Sequence, residues 1–484
     1  MQSKWKLTKV CRKPAPCGLD LGDGSERAEY VNQDYILQTL GRPHRNVNIM
    51  YTYYPKDKEW PQRISEACKD MEIHFQWDYP YDDYFPYEGG IGGNPDGEPF
   101  QQMRDIRRHG QDVTLTLTID CSLEDEYLRQ IARDLKPYGQ MRLRINHECS
   151  GDWFTHNQRY SFEEIAAFFE RFDKIVKEEA PNIRTVFCAG CVLDLENPDS
   201  PVQEEEAFKR AYLAADVWSV DCYLALHYGW PFDVCEKDSN SFATTPIDVF
   251  CKRLELTAKR LTKINGGVKK PLVVSEFNTD GDVTGPMNQG DSILRFVEKL
   301  KNDKAEEWFG GFTLYQFRDR GRLGLEIEDP NNKAVGIPQP LLYDYRQILK
   351  DPYFQPEVKM LEEIELPVTL RWGSAEDAEG ISFVVPFADT PEFCELTFDE
   401  DVNLMIEING RWFYKAPETK TVDLMPAFFD NPLQGSKELA ITMFAPPATG
   451  QNDPEQGEDW TRNYYCTIHK LPELRLRYEP IAEI

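Results

Sequence analysis

Eight short β-rich runs, each followed by a stretch with helical character, limit this chain's possible folds more than any other feature. The runs are Val47 to Tyr51, Ile73 to Trp77, Val113 to Ile119, Met141 to Ile145, Thr185 to Cys188, Val217 to Val220, Leu272 to Ser275 and Gly311 to Tyr315. Between them lie segments such as 161–179, where Phe162, Ile165, Phe168, Phe169, Phe172 and Val176 recur at helical spacing and leave one buried stripe. Ser161 followed by Glu164 reads as a capping box at its start. Strands alternating with helices over this length imply parallel pairing with right-handed crossovers, which leaves a barrel or a doubly wound sheet. No glycine-rich nucleotide fingerprint follows the first run, and polar residues gather at many strand ends, so the α/β reading is a (β/α)₈ TIM barrel.

After about residue 355 the texture changes. Pro352, Pro356 and Pro367 punctuate the chain, and short alternating runs replace helical periodicity. Residues 380–387, 395–398, 402–408, 439–444 and 464–469 read as strands of an antiparallel β-sandwich. The expected division is therefore a catalytic barrel over 1–355 and an accessory sandwich over 356–484, with a packing or cleft-shaping role.

The formal net charge of −28 repels a phosphate backbone, and no dense Lys/Arg run offsets it, which argues against nucleic acid and anionic membrane as partners. Neutral carbohydrate is compatible with that charge. No apolar stretch approaches the roughly 20 residues of a membrane span, and the first residues lack the apolar core of a signal peptide. The twelve cysteines are scattered, as reduced thiols would be. The sequence as written reads as cytoplasmic, or as secreted if an export signal has been cleaved. It leaves the oligomeric state open.

The densest chemical constellation runs from Arg144 to Phe154, beginning in the fourth predicted strand and passing its C-terminal end. Strand alternation puts Arg144, Asn146 and Glu148 on one face, where Arg144 suits holding a carboxylate ionised, Asn146 bonding a sugar hydroxyl and Glu148 protonating a leaving oxygen. At the tip of the apolar seventh strand stands Glu276. Retaining glycosidases need two carboxyl groups about 5–5.5 Å apart, one nucleophilic and one cycling between acid and base, with unequal proton affinities.

On these residues the chain resembles clan A of the glycoside hydrolases. More narrowly, Arg144, His147, Glu148, Gly151, Trp153 and Phe154 resemble the Arg-x-x-His-Glu-x-x-Gly-x-Trp-Phe/Tyr pattern of glycoside hydrolase family 26, which includes endo-β-mannanases. The resemblance implies Glu148 as acid/base, Glu276 as nucleophile, His147 as a sugar contact, Trp153 as an aromatic wall and Tyr223 as the hydrogen-bonding partner of the nucleophile. Ile145 stands where the family carries proline. Further aromatics near strand ends, Trp77, Trp230 and Tyr315, together with His227 beside Trp230, are candidate substrate contacts, because sugars present flat C–H faces to such rings.

The expected substrate is a β-mannan or related β-linked oligosaccharide or polysaccharide, with no cofactor and no metal. A transglycosylase on the same two glutamates and a non-catalytic carbohydrate-binding barrel are the alternatives. Cys188-x-x-Cys191 lacks the second pair of a zinc site. The Asp280-Gly281-Asp282 and Asp20 to Asp23 stretches read as solvated turns without a calcium ladder. Gly89 to Gly93 reads as a flexible rim of the cleft.

Overall fold

The computed structural model describes residues 5–23, 29–57, 59, 85–227, 242–452 and 463–478. At its centre eight parallel strands close into a barrel: β1 (Gly18–Gly22), β2 (Asn46–Tyr53), β3 (Asp112–Ile119), β4 (Met141–Ile145), β5 (Ile183–Cys188), β6 (Val217–Asp221), β7 (Leu272–Phe277) and β8 (Phe309–Leu314). Each pairs with its neighbours in chain order, and β8 returns to β1. Seven of these strands coincide with the expected runs.

The eighth does not. The run at Ile73 to Trp77 lies outside the described residues, and the strand that opens the barrel is β1, whose Gly-Leu-Asp-Leu-Gly sequence has little β propensity of its own. Tertiary contacts explain it. Gly311 in β8 has φ 130°, and a Cβ there would lie 2.2 Å from the Gly18 carbonyl oxygen, so the two backbones approach closely. Asp20 is not a solvated turn residue. It is 3% exposed and takes both Arg45 (2.8 and 2.6 Å) and Arg142 (3.1 Å).

The helix over Phe162–Glu179 forms as its pattern requires, with Ser161 and Glu164 exchanging both bonds of the capping box. Its stripe buries Ile165, Phe168, Phe169, Phe172 and Val176 against the barrel wall.

Beyond residue 355 the chain forms antiparallel sheets. The largest has the order Glu357–Glu363, Leu7–Lys13, Glu379–Phe387, Lys437–Phe444, Leu404–Ile408, Arg411–Lys415. A second holds Thr421–Asp423, Phe393–Thr397 and Glu473–Arg477, and Val368–Trp372 pairs with Tyr464–Ile468. Residues from all three share one core, including Leu370, Phe383, Leu396, Ile406 and Ile441. One strand departs from the expected 1–355 division. Leu7–Lys13 pairs with Glu357–Glu363 and Glu379–Phe387, so the N-terminus belongs to the C-terminal sheets. Its partners lie some 350 positions away, beyond the reach of any local pattern.

These sheets meet the barrel at the segments that lead into its strands. Ala375 N–H donates to Asp112 at the start of β3 (3.2 Å), Trp412 N–H to the Gly41 carbonyl (2.8 Å) and Asn452 N–H to the Pro137 carbonyl (2.7 Å). The contacts gather at the end of the barrel opposite the strand tips that carry the two glutamates, which favours packing over cleft shaping.

Candidate active site

Arg144 sits near the end of β4 with no exposed surface. Strand alternation turns it into the barrel, where its guanidinium reaches four other strands. Nε donates to Thr116 Oγ1 on β3 (2.7 Å), Nη1 to both oxygens of Asp221 on β6 (3.0 and 2.8 Å) and Nη2 to Glu276 Oε1 on β7 (2.7 Å). The Met50 sulfur on β2 lies 3.9 Å from Nη2. Burial alone would favour the neutral form of Arg144, but Asp221 and Glu276 outweigh it and keep the guanidinium charged.

Strand geometry ends at Ile145. Asn146 and Glu148 both take left-handed backbone conformations, each with φ 49°. The alternation that would have put Arg144, Asn146 and Glu148 on one face therefore fails, and the turn re-aims Asn146. Its amide donates to the Ile119 carbonyl (3.1 Å) and accepts from the Ile119 N–H (2.8 Å), so it ties β4 to the end of β3 instead of presenting itself to a sugar.

Glu148 nevertheless arrives at the mouth. Its Oε2 accepts from Trp153 Nε1 at 2.6 Å. Gly151 makes that contact possible, since a Cβ at this position would lie 2.6 Å from the Trp153 ring. Glu276, 4% exposed, accepts from Arg144 on one oxygen and from the Tyr223 hydroxyl on the other (2.9 Å). Carboxylate oxygens of Glu148, Asp221 and Glu276 all lie within 4.8 Å of one another.

Three carboxylates around one guanidinium cannot all ionise cheaply. Burial, followed by the charges of Glu276 and Asp221, pushes the Glu148 carboxyl well above its ordinary range, while the Trp153 N–H works the other way. Burial also pushes Asp221 up, to about 7, against the pull of Arg144. The arrangement provides a carboxyl group that holds its proton more tightly than an ordinary glutamic acid, facing a second one held by an arginine and a tyrosine.

No protein-family model and no curated protein matches the chain. Among solved structures it is similar to a modular endo-β-1,4-mannanase of glycoside hydrolase family 26 from Cellulomonas fimi, at 13% identity over 94% of this chain and 93% of that one, with a TM-score of 0.42. The catalytic domain of a family 26 endo-β-1,4-mannanase from Bacillus sp. JAMB-750 is 13% identical over 70% of this chain and 86% of its own, with a TM-score of 0.44. An α-L-arabinofuranosidase from Thermotoga maritima is 10% identical over 91% and 100%, with a TM-score of 0.43. At such levels these likenesses assign no substrate and no residue role, and the barrel rests on this chain's own strand pairing.

The remaining expected contacts divide. His147 is 1% exposed, packs on Phe154 with ring centroids 4.4 Å apart, and brings Nε2 to 3.9 Å from Glu276 Oε1. Burial, reinforced by Arg144, holds its imidazole well below the usual range and therefore neutral. Tyr315, just beyond β8, meets Tyr223 edge to face at 6.1 Å and joins Met50, Phe154 and Leu323 in an apolar cluster bordered by Trp153 and Tyr223. His227, the expected contact beside Trp230, is held by an acid. It is buried, and its ring bonds Asp280, so Asp280 is no solvated turn residue either. Trp77 and Trp230 lie outside the described residues.

The sequence reading gave Asp221 and Thr116 no role. Asp221 had a legible signal, an acid at the tip of a barrel strand two residues before Tyr223. Thr116 had none, because a threonine inside a strand is ordinary.

Proposed function

We propose that the chain is a retaining glycoside hydrolase acting on a β-linked glycan, with β-mannan the class implied by the motif's resemblance. The observation that carries this reading is the approach of Glu148 and Glu276 within 4.8 Å at the barrel mouth, in environments that separate their roles. A separation this short leaves no room for a water between carboxylate and sugar, as inversion requires, and suits direct attack.

In the first step a Glu276 oxygen bonds the anomeric carbon while the bond to the leaving oxygen breaks, and Glu148 supplies the proton that oxygen needs. In the second, Glu148, now a carboxylate, takes a proton from water as that water's oxygen displaces Glu276. The sugar leaves with its original configuration and Glu148 is protonated again. Tyr223 and Arg144 donate to the nucleophile and fix its orientation. Asp221 keeps Arg144 in place and adds negative potential that favours the proton on Glu148.

Replacing Glu276 with Ala, in protein shown to be folded, should abolish turnover of every glycoside the parent cleaves. Turnover at the parent rate would end the proposal. Product analysis with a competing sugar acceptor separates hydrolysis from transfer.

A further inference from the structure

The two cysteines of the Cys188-x-x-Cys191 motif do not face each other as partners. Cys188 ends β5 and donates its thiol to Asp221, whereas Cys191 meets a cysteine from the next strand. That partner is Cys222, the first residue past β6, whose thiol hydrogen-bonds the Cys191 sulfur. Cys191 belongs to the apolar cluster of Leu224, Phe250 and Leu254, and Cys222 packs against it. The backbone holds both in place. Cys191 N–H donates to Gln203 Oε1 (3.3 Å), its carbonyl accepts from Gln203 N–H (3.1 Å), and Cys222 N–H donates to the Glu276 carbonyl (3.0 Å). Arg253, on the helix Ile247–Ile264, adds a positive charge beside both sulfurs, and its Nε is buried without a partner among the described residues.

This pair is polarised. Burial pushes up the thiols of Cys121, Cys149 and Cys188. Cys191 goes the other way: the hydrogen bond from Cys222, helped by Arg253, lowers it against burial, while Cys222, which gives that bond, is raised. Packing as small apolar side chains accounts for the burial of the two cysteines but not for this difference between them. A thiolate is the form that attacks an oxidant, and a second thiol within reach resolves the product. Cys191 keeps 7% of its surface and Cys222 is partly exposed, so a molecule as small as a peroxide needs little opening to reach them.

We propose that Cys191 and Cys222 form a redox-active pair whose reversible disulfide slows the candidate active site. The Cys191 thiolate attacks one oxygen of hydrogen peroxide, the O–O bond breaks, and a sulfenic acid forms as hydroxide leaves and recovers the proton that Cys191 gave up. The Cys222 sulfur then displaces the hydroxyl group, which takes the Cys222 proton and leaves as water. Two thiols are oxidised and the peroxide is reduced to water; a dithiol reverses the bridge by exchange. Cys222 stands between Asp221, which holds Arg144, and Tyr223, which donates to Glu276 at 2.9 Å. A disulfide holds its sulfurs about 2.05 Å apart, much closer than two hydrogen-bonded thiols. Closing it draws Cys222 toward Cys191 and displaces the side chains on either side, where a shift of about 1 Å costs up to about 10²-fold in rate. The bridge stands without the carbohydrate reading of the glutamate site, and its effect on turnover rests on that reading.

The test oxidises the reduced chain with hydrogen peroxide, alkylates the remaining thiols and maps disulfides by mass spectrometry of the unreduced digest, while turnover of a glycoside that the parent cleaves is followed. A peptide linking Cys191 to Cys222, a fall in turnover of about ten-fold or more, and recovery with dithiothreitol are the expected results. Cys191→Ser and Cys222→Ser should cleave as the parent does and keep that rate through the same treatment. No linked peptide, a linked peptide with turnover unchanged, or serine variants that lose turnover as the parent does would overturn the proposal. If one variant fails to fold, the other and the parent's own disulfide map decide. A parent that forms the bridge but cleaves no glycoside refutes hydrolysis and leaves the pair standing. The reach of the bridge into the site is then read as amide exchange across residues 217–224, which should change on oxidation and would overturn the coupling if it did not.

Discussion

Replacing Arg144 with Met tests the arrangement on which the site depends. The side chain and Asp221 have no exposed surface and Glu276 has 5%, so its loss leaves two carboxylates buried within 4.8 Å of each other without their cation. Removing one partner of a buried pair typically costs about 3–5 kcal/mol, because the remaining charge stays desolvated. At roughly 2–4 °C per kcal/mol for a large domain, that corresponds to a fall of about 6–20 °C in Tm.

The sign with pH follows from linkage. Burial already raises Asp221 to about 7, and without Arg144 it rises further. A folded carboxyl that binds its proton more tightly than the unfolded one loses stability as pH rises above its unfolded value of about 3.9. The gap between variant and parent should therefore be smaller near about pH 5 than near about pH 8. Thermal unfolding followed by circular dichroism at both pH values measures it. Adding Asp221→Asn and Glu276→Gln should recover much of the loss, because the stranded charges are gone. A loss below about 1 kcal/mol at neutral pH, or no recovery in the triple variant, would refute the reasoning.

Other perturbations address separate parts. Because the Asp221 charge helps to raise Glu148, Asp221→Asn should move the alkaline limb of any pH–rate profile to lower pH, and an unmoved limb would show that Asp221 does not act on the acid. Arg45→Met strips Asp20 of its bidentate partner but leaves Arg142, so it should destabilise in urea unfolding by less than the about 3–5 kcal/mol of a fully stranded charge. Arg45 and Arg142 outweigh burial and hold Asp20 below its usual range, so in the parent this contribution is present above the unfolded carboxyl's range and fades as pH falls. Ser161→Ala removes the acceptor for Glu164 N–H and should cost about 1 kcal/mol of stability with turnover unchanged.

What was legible in the sequence was whatever a local period or a short spacing encodes. The alternation of apolar strands with striped helices determined the barrel, the Ser161 and Glu164 pair started its helix, and an acid at the tips of β4 and β7 marked the reacting end. Tertiary structure decided the rest. Gly18–Gly22 is a strand only because β8 and β2 flank it and Arg45 and Arg142 neutralise Asp20 within the barrel. Leu7–Lys13 joins sheets whose other strands come hundreds of residues later. At the site, strand periodicity stops at Ile145, and two left-handed residues turn Asn146 toward β3 while bringing Glu148 to face Glu276. The pairing of Arg144 with Asp221, Glu276 and Thr116 joins four strands, and hydrogen bonds across a barrel leave no trace in the order of residues along it.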